Sequence, residues 1–68
     1  MAIAGGMTTA YRCRIDTFEL RRDPTTYPSR ECATVDTAME MLERGESVIV
    51  AANDMERLRQ RLASFGIR

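Results

Sequence analysis

Neither lysine nor histidine occurs among these 68 residues, so all ten positive charges are arginine. The absence of histidine removes the imidazole base, the proton shuttle and the nitrogen metal ligand. Without lysine there is no Schiff-base amine and no phosphate-loop amine. High-GC coding alone accounts for such a bias. Cysteine is scarce too: Cys13 and Cys32 form no Cys-x-x-Cys pair and cannot close a zinc site, so the composition implies neither a metal nor a cofactor. In a reducing compartment two such thiols read first as small buried apolar groups. No apolar run approaches the roughly 18 residues of a membrane span, and Met1 to Met7 is too short and uncharged for a signal peptide. These features point to a cytoplasmic protein.

What the chain does have is arginine, a permanently charged, planar fork of five donors suited to carboxylates, phosphates and aromatic faces. The ten arginines are balanced by ten acids, so the net charge is zero, but the charges are segregated. Residues 12 to 22 carry four arginines against Asp16 and Glu19. The stretch around Asp36, Glu40, Glu43 and Glu46 is acidic, whereas Arg57, Arg61 and Arg68 share one side of a C-terminal helix. A pI near 6.2 disfavours direct nucleic-acid binding, for which only Tyr11 and Tyr27 offer stacking rings outside the core.

A flexible tail is expected over 1–9 and a single domain over 10–68. Tyr11, Cys13 and Ile15 alternate with Arg12, Arg14 and Asp16 as in a strand reaching Leu20. The apolar phase slips to Phe18 and Leu20, which predicts a β-bulge or a strong twist near Asp16-Thr17. The two prolines and polar residues of 21–29 predict an exposed connection, followed by a second strand over Arg30 to Ala33. Thr34 is a suitable N-cap for a helix with the stripe Val35, Ala38, Met39 and Leu42, closed by Gly45. Ser47 to Ala52 reads as a buried strand. Asn53 and Glu56 then predict a capping box for a helix whose stripe is Met55, Leu58, Leu62 and Phe65, ending at Gly66.

The order β-β-α-β-α implies a two-layer α+β fold. A hairpin followed by a helical crossover sets strand three parallel to strand two, predicting a three-stranded mixed sheet in order 2-1-3 with both helices on one face. So short a chain buries a modest core, which favours a homodimer.

Catalytic options are few. The carboxylates of Asp36, Glu40 and Glu43 lie along an exposed helical face that implies no cleft, and Ser29, Ser47 and Ser64 have no His or Lys base anywhere in the chain. A cysteine thiolate remains. From Glu31-Cys32 through the following helix to Gly45-Glu46-Ser47-Val48-Ile49-Val50-Ala51-Ala52, the layout resembles the small bacterial sulfur-carrier proteins, in which a strand leads to Cys-Pro-x-Pro at a helix N-terminus. That resemblance implies a thiolate or persulfide at Cys32 stabilised by the helix dipole, and hence a sulfur-carrier or thiol-redox alternative. Cys32-Ala33-Thr34-Val35 lacks both prolines of that motif.

The short arginine-rich chain, with a hairpin, the Ala/Met-rich helix Thr37-Ala38-Met39-Glu40-Met41-Leu42-Glu43 and a hydrophobic strand, also resembles small phage-encoded host inhibitors, anti-CRISPR proteins among them. The resemblance implies a non-catalytic, stoichiometric blocker of a host protein or nucleoprotein. It shares no motif residue by residue, so the candidate contacts come from composition. Arg21, Arg22 and Tyr27 in the proline-stiffened segment have the makeup of an interface hot spot, and Arg57 and Arg61 form a second patch. Met41 faces away from the first helix's apolar stripe and is expected to be covered by a second copy or a partner.

Overall fold

The computed structural model describes residues 6–66. The chain runs β1 (Met7–Asp16), β2 (Glu19–Pro28), α1 (Val35–Glu43), β3 (Val48–Ala51) and α2 (Met55–Ala63), with short 3-10 turns at Ser29–Glu31 and Ala52–Asp54. The sheet order is β2-β1-β3, and the helices pack on one face to give an α+β two-layer fold. Most of the expected tail 1–9, like Arg68, lies outside the described residues, but Met7 to Thr9 belong to β1.

β1 and β2 form a ten-pair antiparallel ladder from Met7 opposite Pro28 to Asp16 opposite Glu19. The phase slip after Asp16 is therefore a chain reversal and not a bulge. A two-residue turn pairs odd residues of β1 with even residues of β2, so Ile15 and Leu20 come out on the same face. Thr17 and Phe18 occupy that turn with φ of 54° and 71°, the left-handed region that side chains larger than glycine rarely adopt.

The expected exposed connection over 21–29 is instead most of β2, and the expected strand over Arg30 to Ala33 is reduced to a 3-10 turn and one bridge, Ala33 to Val50. The backbone phase explains why prolines are tolerated. Ser29 N–H donates to the Gly6 carbonyl at 2.9 Å, which makes the odd-numbered residues of β2 those that bond to β1. Pro24 and Pro28 are even-numbered, so their missing donors fall on the free outer edge.

β3 pairs with β1 antiparallel, from Ala10 opposite Ala51 to Cys13 opposite Val48. Because β1 lies between β2 and β3, the parallel relation of the outer strands never becomes a ladder, and the sheet is antiparallel rather than mixed. Parallel pairing is confined to the Ala33 bridge, whose N–H donates to the Ile49 carbonyl at 2.9 Å.

Thr34 caps α1 as expected, its hydroxyl accepting from the Thr37 N–H at 3.2 Å. At the other end Gly45 takes φ of 81°, and the N–H groups of Gly45 and Glu46 return to the carbonyls of Leu42 and Met41. The expected Asn53–Glu56 capping box is absent. Asn53 is spent in the 3-10 turn, and Glu56 turns forward to accept from Arg59 at 2.8 Å and Gln60 at 3.4 Å.

The core joins Cys13, Leu20, Val48 and Val50 of the sheet to Ala38, Met39 and Leu42 of α1 and Met55, Leu58 and Leu62 of α2. Each large side chain buried there contributes about 1.5–3 kcal/mol before entropy is subtracted. Phe65 does not complete the α2 stripe. The helix has ended by Ser64, and the ring is 61% exposed. Met41 departs from expectation in the other direction: it is half-buried against the edge of its own chain's core.

Candidate functional site

Side chains directly opposite each other in a ladder share a face, so the register sorts the sheet. Tyr11, Cys13, Ile15, Leu20, Arg22, Pro24, Val48 and Val50 look towards the helices. The opposite face has no α-helix on it, although Ala10 there is fully buried. It carries Ala10, Arg12 and Arg14 from β1, Arg21, Asp23 and Tyr27 from β2, and Ile49 and Ala51 from β3.

This division breaks up the expected contact cluster. Arg21 and Tyr27 stay together on the uncovered face, six residues and roughly 20 Å apart along β2. Arg22 points to the helical side, opposite Cys13. Arg57 and Arg61 lie on α2, behind the sheet as seen from the uncovered face. Arg61 is already engaged, its Nη1 donating to Asp36 Oδ1 at 2.9 Å and tying α2 to the start of α1. Arg57 lines the same open hollow of about 540 Å³, with Thr34, Gln60 and Ser64.

The uncovered face gathers residues that composition alone left unassigned. Arg14 stands directly opposite Arg21, an arrangement that costs energy in an antiparallel sheet. Arg21 reaches Asp16 at 3.9 Å, but among the described residues neither Arg12 nor Arg14 forms an ion pair within 4.0 Å. Arg12 sits between Asp23 and Ile49. Beside it a hollow of about 340 Å³ is lined by Tyr27, Glu31, Ala33, Met41 and Ile49. Thus Met41, expected at an interface, contributes to a hollow next to the arginines. The signal for Arg12 and Arg14 was present in their alternation with Tyr11 and Cys13. Their pairing with Arg21 was hidden, because it depends on locating the turn.

The two thiols have different settings. Cys13 is fully buried, with Sγ 3.8 Å from Met55 Sδ, and burial pushes its pKa up to about 11 despite the nearby Arg22 guanidinium. Cys32 is half-buried and lies against the Pro28 carbonyl at 3.8 Å, while Thr34 occupies the helix cap. An aromatic disulfide reagent is therefore expected to label one thiol quickly at pH 8 and the second only as the protein opens. Cys32→Ser should abolish the fast phase and Cys13→Ser the slow one. Equal rates for both thiols would contradict this burial pattern.

No family model matches the chain, and no curated protein or solved structure matches it. Among the described residues no helix is long and apolar enough to cross a membrane.

Proposed function

We propose that this chain is a cytoplasmic, non-catalytic binding protein, homodimeric, that modulates or inhibits a host protein or nucleoprotein complex by stoichiometric association through the uncovered sheet face. The observation that carries the reading is the set Arg12, Arg14 and Arg21 on that face: among the described residues Arg12 and Arg14 form no ion pair within 4.0 Å, although Asp23 stands opposite Arg12. Folding alone gains nothing from opposing like charges across two strands. An acidic partner surface supplies the counter-charge, forms bidentate bonds to the guanidinium groups and places Tyr27 and Ile49 against apolar atoms. A phage-encoded inhibitor of the anti-CRISPR kind has this mode of action, which is how the resemblance in size and layout enters the proposal.

The test is capture of a stoichiometric partner from host lysate by the tagged chain, repeated with Arg12→Ala/Arg14→Ala. The double variant is expected to reduce partner recovery at least about tenfold, since losing two interfacial charge pairs costs more than about 1.4 kcal/mol. Arg57→Ala should leave recovery unchanged. Undiminished capture by the double variant would reject the uncovered face as the contact surface. Recovery of nucleic acid alone, released steeply by salt, would replace the reading with a nucleic-acid-binding one.

A further inference from the structure

The free edge of β2 is specific about what can pair with it. Its even-numbered residues point their backbone groups outward, so Leu20, Arg22 and Thr26 present N–H donors while Pro24 and Pro28 present none. A second copy adding to this edge must run antiparallel about a two-fold axis for the contact to close on itself. Axes placed from Asp23 to Thr26 bring Pro24 or Pro28 to bonding positions and lose ladder bonds. Axes at Glu19, Arg21 or Arg22 oppose a charge to its own copy.

The axis at Leu20 has neither fault. It exchanges both backbone bonds between Leu20 and its symmetry mate. It places Glu19 opposite Arg21 twice, at the close non-hydrogen-bonded pairs, and brings the Phe18 turn of each copy beside Arg22 of the other. Glu19, Arg21 and Arg22 are all exposed, and Phe18 is 85% exposed at the tip. Phe18 and Arg22 both line a hollow of about 570 Å³ at the hairpin tip with Thr17, Glu19, Leu20 and Gly66, so the ring and the guanidinium lie close together, within reach of a cation–π contact between copies.

From this geometry we infer that a second copy of the chain docks on the β2 edge about a two-fold axis at Leu20, forming a continuous six-stranded sheet. The inference rests on the homodimeric reading above and names its interface. The turn supports it, because Thr17 and Phe18 hold costly left-handed conformations that keep an exposed aromatic ring beside this edge. In such a dimer the two uncovered faces join side by side, and Pro24 and Pro28 lie outside the paired segment.

Charge exchange tests the register with the full chain. Sedimentation over micromolar to millimolar protein is expected to show a reversible dimer. Glu19→Arg alone and Arg21→Glu alone should each weaken it at least about tenfold, because each turns two attractive pairs into repulsive ones. An equimolar mixture of the two variants should recover dimer, since each then meets its complement across the axis. Because both positions are exposed, native circular dichroism of each variant confirms that folding is intact. A wild-type dimer untouched by either variant would overturn this interface and leave the homodimeric reading standing. A monomer at every concentration would overturn both, while the partner-capture result with Arg12 and Arg14 is read independently.

Discussion

Leu58→Ala is expected to lower unfolding stability by about 3 kcal/mol and leave the chain largely unfolded at moderate urea. Leu58 is completely buried between α2 and the sheet, so truncation loses both the transfer energy of its methyl and methylene groups and the contacts around the remaining cavity. A domain of this length holds roughly 3–10 kcal/mol in total, so one such residue is decisive. Phe65→Ala removes a larger side chain from what reads in sequence as the same stripe. It is expected to change stability by less than about 0.5 kcal/mol, because the ring is mostly in water. Urea denaturation of the two variants side by side checks both values. A loss at Phe65 equal to that at Leu58 would mean that the last aromatic belongs to the core after all.

The second large effect has the opposite sign. Replacing Thr17-Phe18 by Asn-Gly is expected to raise stability by about 1–2 kcal/mol. Each L-residue held in the left-handed region costs about 1–2 kcal/mol, and Asn-Gly relieves most of that in a two-residue hairpin turn. The added freedom of glycine in the unfolded chain subtracts part of the gain. In thermal denaturation the melting temperature should rise by roughly 4–8 °C per kcal/mol gained. The same variant removes the Phe18 ring and should weaken self-association. A stabilised protein that no longer dimerises would show that the chain carries local strain in the service of contact. An unchanged melting temperature would contradict the left-handed turn.

The uncovered face and the free edge of β2 divide the arginines by role. Arg12 and Arg14 face outward with Tyr27 and Ile49, Arg21 borders both surfaces, and Arg22 lies on the helical side near the tip. A paired Arg22 and Tyr27 substitution, natural if both belonged to one loop, would therefore mix two effects. Taken singly, Tyr27→Ala bears on partner capture and Arg22→Ala on self-association.

By itself the sequence determined the two-layer α+β class, the order 2-1-3 though not which residues form the second strand, both helices and ten of the eleven buried apolar side chains. These rest on local rules. The spacing of Val35, Ala38, Met39 and Leu42 specifies a helical face, Thr34 and Gly45 mark its ends, and Val48 to Ala51 has the bulk of a strand. Tertiary structure alone decided where β1 turned. A phase slip of one residue fits a bulge and a two-residue reversal equally well, and Thr-Phe carries none of the glycine or asparagine that announces the reversal. Once the turn was placed, a proline-containing segment became an edge strand, because alternate residues of an outer strand need no donor. The same placement sent Arg21 and Arg22 to opposite faces and brought Arg14 against Arg21. Which arginines act together is a matter of register, and register is set by pairing between strands rather than by neighbours in the chain.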